Sequence, residues 1–127
     1  MVGATFSDKP AAQVRLAEAT MELRAAEALL DTGVARLLSR VRSGETLGVD
    51  ERAAFRAEAC YVATMAKRAI DQLCEGAGAR AQFEDNPLQR CQRDINTLRG
   101  HVVFDMDTTM EMQGRVQLGY GPNQPLV

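Results

Sequence analysis

The sequence has no tryptophan and one histidine, and aromatic residues make up only 5% of its 127 positions. Aliphatic and small side chains must therefore build its core. No apolar run approaches the roughly 18 residues that a membrane-spanning helix needs. The opening MVGATFSDKP lacks the basic-then-apolar pattern of a secretory signal, so a cytoplasmic location is expected. Three cysteines, Cys60, Cys74 and Cys91, are an odd number without metal-ligand spacing, and His101 lies ten residues beyond the last of them. That pattern excludes a disulfide framework and a zinc module and reads as buried or half-buried free thiols, with no metal. A net charge of −2 gives no electrostatic reason for nucleic acid or an anionic membrane as partner. There is no internal repeat and no low-complexity tract.

What is present is regular. Hydrophobic residues make up 46% and charged residues 25%, the balance of a globular chain long enough for one domain with a single core. Ser7, Asp8 and Pro10 offer an N-cap and a first-turn proline, which predicts a helix from about Lys9. Val14, Ala17, Met21, Ala25 and Ala28, then Leu30, Val34, Leu37 and Val41, recur mostly at spacings of three and four and predict its buried stripe. The shift between Ala28 and Leu30 suits a long helix with neighbours on more than one side, and Gly33 marks a bend or a close helix contact. Ser43-Gly44 ends this helix. Asp50 and Glu51 open a second, expected to reach about Cys74, with Ala54, Ala57, Tyr61, Val62, Met65, Ala69 and Leu73 as its core. Glu75-Gly76-Ala77-Gly78 terminates it.

After a connector from Ala79 to Asn86, Pro87 opens a third helix with Leu88, Cys91, Ile95 and Leu98 on its apolar face. At Gly100 that helix either continues through His101 or breaks and restarts. Val102, Val103, Met106, Met110 and Met112 to Val116 have helical spacing and predict a fourth helix, with the methionines as core filling. The tail GYGPNQPLV reads as turn and extended chain. The expected fold is all-α, an up-and-down four-helix bundle spanning 1–127 as one domain, and its small-residue faces favour a homo-oligomer.

The segment NPLQRCQRDINTLRGHVVFDMDTTMEMQGRVQLG, Asn86 to Gly119, resembles the end of the flavin-dependent monooxygenases built on the acyl-CoA dehydrogenase fold, the group that includes the 4-hydroxyphenylacetate hydroxylase oxygenase components. The resemblance lies in a proline and leucine before an arginine, the pair Arg93-Asp94, a histidine seven residues after that aspartate, and a closing Leu118-Gly119. Upstream, QVRLAEATMELRAAEALL resembles the long helix that opens the family's C-terminal domain. The resemblance covers essentially the whole chain. It implies reduced FMN or FAD from a separate flavin reductase, with oxygen, hydroxylating an aromatic substrate. Complete family members carry a helical N-terminal domain and a central β domain, with the flavin ring between the β domain and this bundle. These 127 residues are thus expected to supply one wall of the pocket, and to be inactive unless the other domains come from the same polypeptide or a partner chain.

The resemblance also assigns residues. Val102 stands where many of the superfamily's dehydrogenases place a catalytic glutamate, and valine accepts no proton, which demotes acyl-CoA dehydrogenation. His101 matches the histidine that the monooxygenases direct toward substrate and flavin. An imidazole can accept a phenolic proton near neutral pH, or its N–H can donate a hydrogen bond at the reacting oxygen. In a continuing helix Asp105 would lie one turn beyond and fix its tautomer. Gly100 would let a planar ring approach the backbone, and the Gly76-Ala77-Gly78 turn resembles the superfamily's loop at the cofactor's phosphate or adenosine portion. From spacing alone, His101 also fits a surface or core histidine, and the glycine turn fits a plain helix end. Arg90 and Asp94, four apart, suit an ion pair along the helix, and Arg93 a structural brace. Two other functions stay open: a non-catalytic oligomerisation module, and a fragment of an acyl-CoA dehydrogenase.

Overall fold

In the computed structural model, which describes residues 5–124, four α-helices follow one another: α1 (Pro10–Ser43), α2 (Val49–Ala77), α3 (Pro87–Arg99) and α4 (Met106–Gln117). Short 3-10 turns at Gly78–Gln82 and Val102–Phe104 join the later ones. No strand occurs among the described residues, and the expected all-α, four-helix architecture is present. The tail is turn-rich through Gly119 and Gly121, which take positive φ of 82° and 73°. Its last residues, 125–127, lie outside the described ones.

α1 begins where the proline places it, but Lys9 occupies the N-cap position without a side-chain cap. Asp8 instead accepts from the backbone and hydroxyl of Thr5, at 2.8 and 2.6 Å. Gly44 ends α1 in the left-handed region, φ 72°, and its amide returns to the carbonyls of Arg40 and Val41.

The face that α1 buries is not the bulky stripe predicted for it. Ala19, Ala26 and Gly33 are buried, with Ala12, Arg15, Glu22, Leu29 and Arg40 half-buried between and beyond them. That is a heptad-like seam whose fully buried members are small. Val14, Met21, Leu30, Val34 and Val41 stay 46–65% exposed. Two stripes share the helical period, and the neighbour selects between them. At Gly33 the Glu58 side chain fills the space that a larger residue would need: an added Cβ would lie 3.0 Å from Glu58 Oε2. Gly33 thus marks the close contact rather than a bend.

Ion pairs fix the direction of the hairpin. Arg15 faces Glu75, Glu22 faces Arg68, Arg36 faces Glu58 at 2.7 Å, and Arg40 faces Glu51 at 2.8 Å. Early residues of α1 meet late residues of α2, so the two run antiparallel. These pairs are partly exposed and set register more than stability.

α2 is the shared member, packed by α1 on one side and by α3 and α4 on the other. It runs three residues beyond the predicted end and takes Gly76 into its last turn. Met65 and Ala69 are buried as expected, while Tyr61 is 41% exposed on the flank between the two packed faces. Ile70, Cys74 and Ala81 form a core cluster against Ala77, Leu88 and Ile95. Asn86 caps α3 by accepting from the Leu88 amide at 3.0 Å. Leu88 meets Cys74, Gln92 meets Asp71 and Phe104 meets Cys60, so α3 and the turn after it run back along α2, against which α4 also packs. Arg90 and Asp94 pair at 3.8 Å on the exposed side of α3. No helix among the described residues is long and apolar enough to cross a membrane.

Met112 is fully buried in α4. Met112→Ala should lower the unfolding free energy by about 2–5 kcal/mol, the range for truncating a buried long side chain. Urea unfolding followed by circular dichroism measures it; a loss below about 1 kcal/mol would show that α4 is not packed as described.

Candidate functional site

α3 breaks at Gly100. The Gly100 amide bonds to carbonyls of the last helical turn, and His101 leaves the helix with φ −76° and ψ 137°. Five residues, His101 to Asp105, then form a turn before α4. Gly100 itself has right-handed helical backbone, and a Cβ added there would lie 3.3 Å from the Thr97 carbonyl oxygen, a tight contact.

This turn is pinned from beneath. Cys60 Sγ donates to the Phe104 carbonyl at 3.3 Å, and the fully buried Thr109 donates its hydroxyl to the Val103 carbonyl at 3.4 Å. Burial pushes the Cys60 thiol up, which keeps it protonated and able to donate. Asp105 closes the turn by accepting from the Thr108 amide at 2.8 Å and from the Thr108 hydroxyl. The bonds from the Thr108 hydroxyl and then its amide hold the Asp105 carboxyl below the ordinary range, helped by the charges of Arg56 and Arg99.

His101 is exposed above these anchors. Its Nδ1 accepts from the Val103 amide at 3.3 Å, and its ring meets Phe104 edge-on at 6.5 Å between centroids. In a neutral ring that bond puts the proton on Nε2, which faces away from the backbone partner as a donor. The expected pairing with Asp105 is not formed. It required a helix continuing through residue 101, and with the helix broken Asp105 caps α4 instead.

The glycines Gly76 and Gly78 lie elsewhere. Gly76 borders a groove of about 850 Å³ between the start of α1, the end of α2 and the start of α3, lined also by Leu16, Gln72, Leu73, Ala77 and Arg80. Gly78 takes φ 61° and ψ −145°, and its amide is used on the carbonyls of Cys74 and Glu75. Along α2, Cys60 under the histidine turn and Gly76 at the groove are about 24 Å apart by helix rise. The structure therefore brings Gly100 and His101 together and separates them from Gly76 and Gly78.

Cys60, Thr109 and Arg56 were not singled out from the sequence as functional. Arg56 had a legible signal, being a lone charge at helical spacing among Ala53, Cys60 and Ala63. Cys60 and Cys74 are buried as free thiols, whereas Cys91 is exposed.

Comparison with known proteins places this geometry. The chain is 35% identical to the pigment production hydroxylase of Rhodococcus sp. (strain ATCC 21145), over 95% of its own length and 31% of the relative's. It is 31% identical to the oxygenase component of p-hydroxyphenylacetate 3-hydroxylase from Acinetobacter baumannii, over 98% of this chain and 30% of that one. The crystal structure of 3-HSA hydroxylase from Rhodococcus sp. RHA1 superposes with a TM-score of 0.85 at 32% identity, covering 94% of this chain and 32% of that one. The chain thus spans about a third of the length of the relatives it matches.

The pinned turn makes a prediction of its own. A carboxyl whose folded pKa is depressed stabilises the fold above its unfolded value, near 3.8 for Asp105, and that contribution is lost as pH falls through the lower folded value. Asp105→Ala should lower Tm at pH 7 and make the loss of Tm below about pH 4 shallower. Thermal melts from pH 2 to 7 test this; parallel Tm curves for the two proteins would refute it.

Residues 1–106 match the family model described as acyl-CoA dehydrogenase, C-terminal domain, and with the fold in agreement the chain belongs to that family.

Proposed function

We propose that the chain is the C-terminal part of a flavin-dependent monooxygenase that hydroxylates an aromatic substrate, and that it supplies one wall of the flavin and substrate pocket. The observation that carries this reading is the exposed His101 on a turn whose carbonyls are held from below by Cys60 and Thr109. A surface histidine needs no such support, whereas a group that must meet a substrate at fixed distance does. The similarity to aromatic hydroxylases along nearly the whole chain supports it.

Reduced FMN or FAD, when bound, supplies the oxygen-activating chemistry. The residues here would orient and hydrogen-bond. With Nδ1 occupied by the Val103 amide, His101 presents Nε2–H, which favours a hydrogen-bond donor over a proton acceptor. Gly100 keeps the histidine turn short against the helix end. The groove beside Gly76 and Gly78 is the place for a more distant part of the cofactor, with Arg80 at its rim for an anionic group. Helical N-terminal and central β domains, from the same polypeptide or a partner chain, would complete the pocket. A separate flavin reductase would deliver the reduced cofactor. Such a system works in the cytoplasm.

A second reading has its own observation. The exposed apolar residues of α1 form an extended face, as in an assembly module, and cover by further copies of the chain fits it. Both readings hold together if the bundle is the assembled part of an oxygenase.

The test begins with anaerobic titration of reduced FMN and FAD into the chain alone and with the two other domains of the A. baumannii oxygenase component. Binding is expected only with those domains present. In that complex His101→Ala should reduce hydroxylation of p-hydroxyphenylacetate by about 10²–10³-fold, the scale for losing one positioned hydrogen-bond donor, while flavin affinity changes little. Unchanged hydroxylation would remove His101 from the chemistry and leave the assembly reading.

A further inference from the structure

The imidazole of His101 meets the rest of the protein in two places. Its Nδ1 accepts from the Val103 amide at 3.3 Å, and its ring meets the Phe104 ring edge-on, with 6.5 Å between centroids. Those same two residues are held from the core. The Thr109 hydroxyl donates to the Val103 carbonyl at 3.4 Å, and the Cys60 thiol donates to the Phe104 carbonyl at 3.3 Å. Thr109 and Cys60 are both 0% exposed. Each buried side chain therefore stands one residue away from the imidazole, and two short routes connect the exposed ring to the interior.

The backbone bonds of the turn have a different task. The His101 amide donates to the Leu98 carbonyl and the Thr109 amide to the Asp105 carbonyl, both at 3.1 Å, which joins the ends of the turn to α3 and α4. The bonds from Phe104 to the His101 carbonyl, 2.9 Å, and from Asp105 to the Val102 carbonyl, 3.2 Å, lie wholly inside it. They give the turn its curvature. A turn held at its ends and within itself can still lean away from α2, and the Cys60 bond, reaching across 44 positions of the chain, opposes that. The Thr109 bond ties the neighbouring peptide to the first turns of α4. The consequence for the ring is chemical as well as spatial. An accepting Nδ1 carries no proton, so a neutral imidazole keeps its proton on Nε2 while the Val103 amide stays aimed at it.

We propose that Thr109 and Cys60 are positioning residues for His101, Thr109 holding its tautomer through Val103 and Cys60 holding its ring plane through Phe104. Neither touches a reacting atom. The relevance to hydroxylation rests on the reading of His101 given above, but the positioning itself does not.

The single histidine makes both routes measurable in the 127-residue chain, because every imidazole signal in its NMR spectrum belongs to His101. At about pH 8, above the ordinary imidazole range, the two ring nitrogen shifts report the tautomer, and cross-relaxation between the His101 and Phe104 rings reports the ring plane. Thr109→Val keeps the branched shape and removes the donor. It should draw the two nitrogen signals together as the Nδ1–H form becomes populated, and lower hydrogen-exchange protection of the Val103 amide by about tenfold, the scale of one lost hydrogen bond. Cys60→Ala should weaken the His101–Phe104 cross-relaxation and leave the nitrogen signals nearly in place. Thr109→Ser and Cys60→Ser each keep a donor and should restore most of what the first pair loses. Unchanged nitrogen signals in Thr109→Val, or an unchanged ring contact in Cys60→Ala, would overturn the proposal. So would changes that the serine variants fail to restore, since lost packing would then account for them. Should a variant not fold, the unaltered chain still decides, because a ring protonated mainly on Nδ1 would overturn the proposal outright. None of these readouts depends on activity, so a catalytically idle His101 would defeat the functional reading without touching this one.

Discussion

Everything in this structure follows from how closely α1 and α2 approach. Their seam has Ala19, Ala26 and Gly33 buried on the α1 side, with Phe55 and Glu58 of α2 set against Gly33, so α1 comes near along its small residues and dispersion is collected from many small contacts. The three most buried positions of α1 are all small, and among its leucines only Leu29 is half-buried in the seam. The other large apolar residues of α1 are turned outward, and the charged residues beside the seam set the antiparallel register. α2, covered by α1 on one flank, keeps its other flank for α3, the histidine turn and α4.

That second flank is where chemistry becomes possible. The turn from His101 to Asp105 is short, lies over α2, and is attached at its carbonyls by a thiol and a hydroxyl and at its end by a carboxylate cap. The thiol and hydroxyl bonds are modest, of order 1 kcal/mol each. Together they leave the imidazole little freedom while keeping it exposed. The groove beside Gly76 is distant along the same helix, so a ligand reaching both places would have to be elongated, as a dinucleotide is, or be held largely by other protein.

The helices were legible because their punctuation is strong: Pro10, Gly44, Pro87 with Asn86, and the Gly76 to Gly78 turn each sit where an end occurs. The burial of α1 was not legible. Two stripes share its period, and hydrophobicity alone favours the bulky one, whereas the choice belongs to a neighbour that the local sequence does not show. Tyr61 misled in the same way. The partner of His101 could not be read because it depended on whether Gly100 stops the helix, and a glycine without a following proline permits either outcome.

The outward face of α1, with Leu16, Leu23, Leu30, Val34 and Val41 about half exposed, is the feature on which the larger account depends, because a helix built this way is finished only when something covers it. Light scattering on the purified chain, compared with a Leu30→Glu, Val34→Glu double variant that retains its helical circular dichroism, measures this directly. The account predicts that the chain associates and that the charged variant has the mass of one chain. A chain that is monomeric at tens of micromolar, with the same mass as the variant, would contradict it.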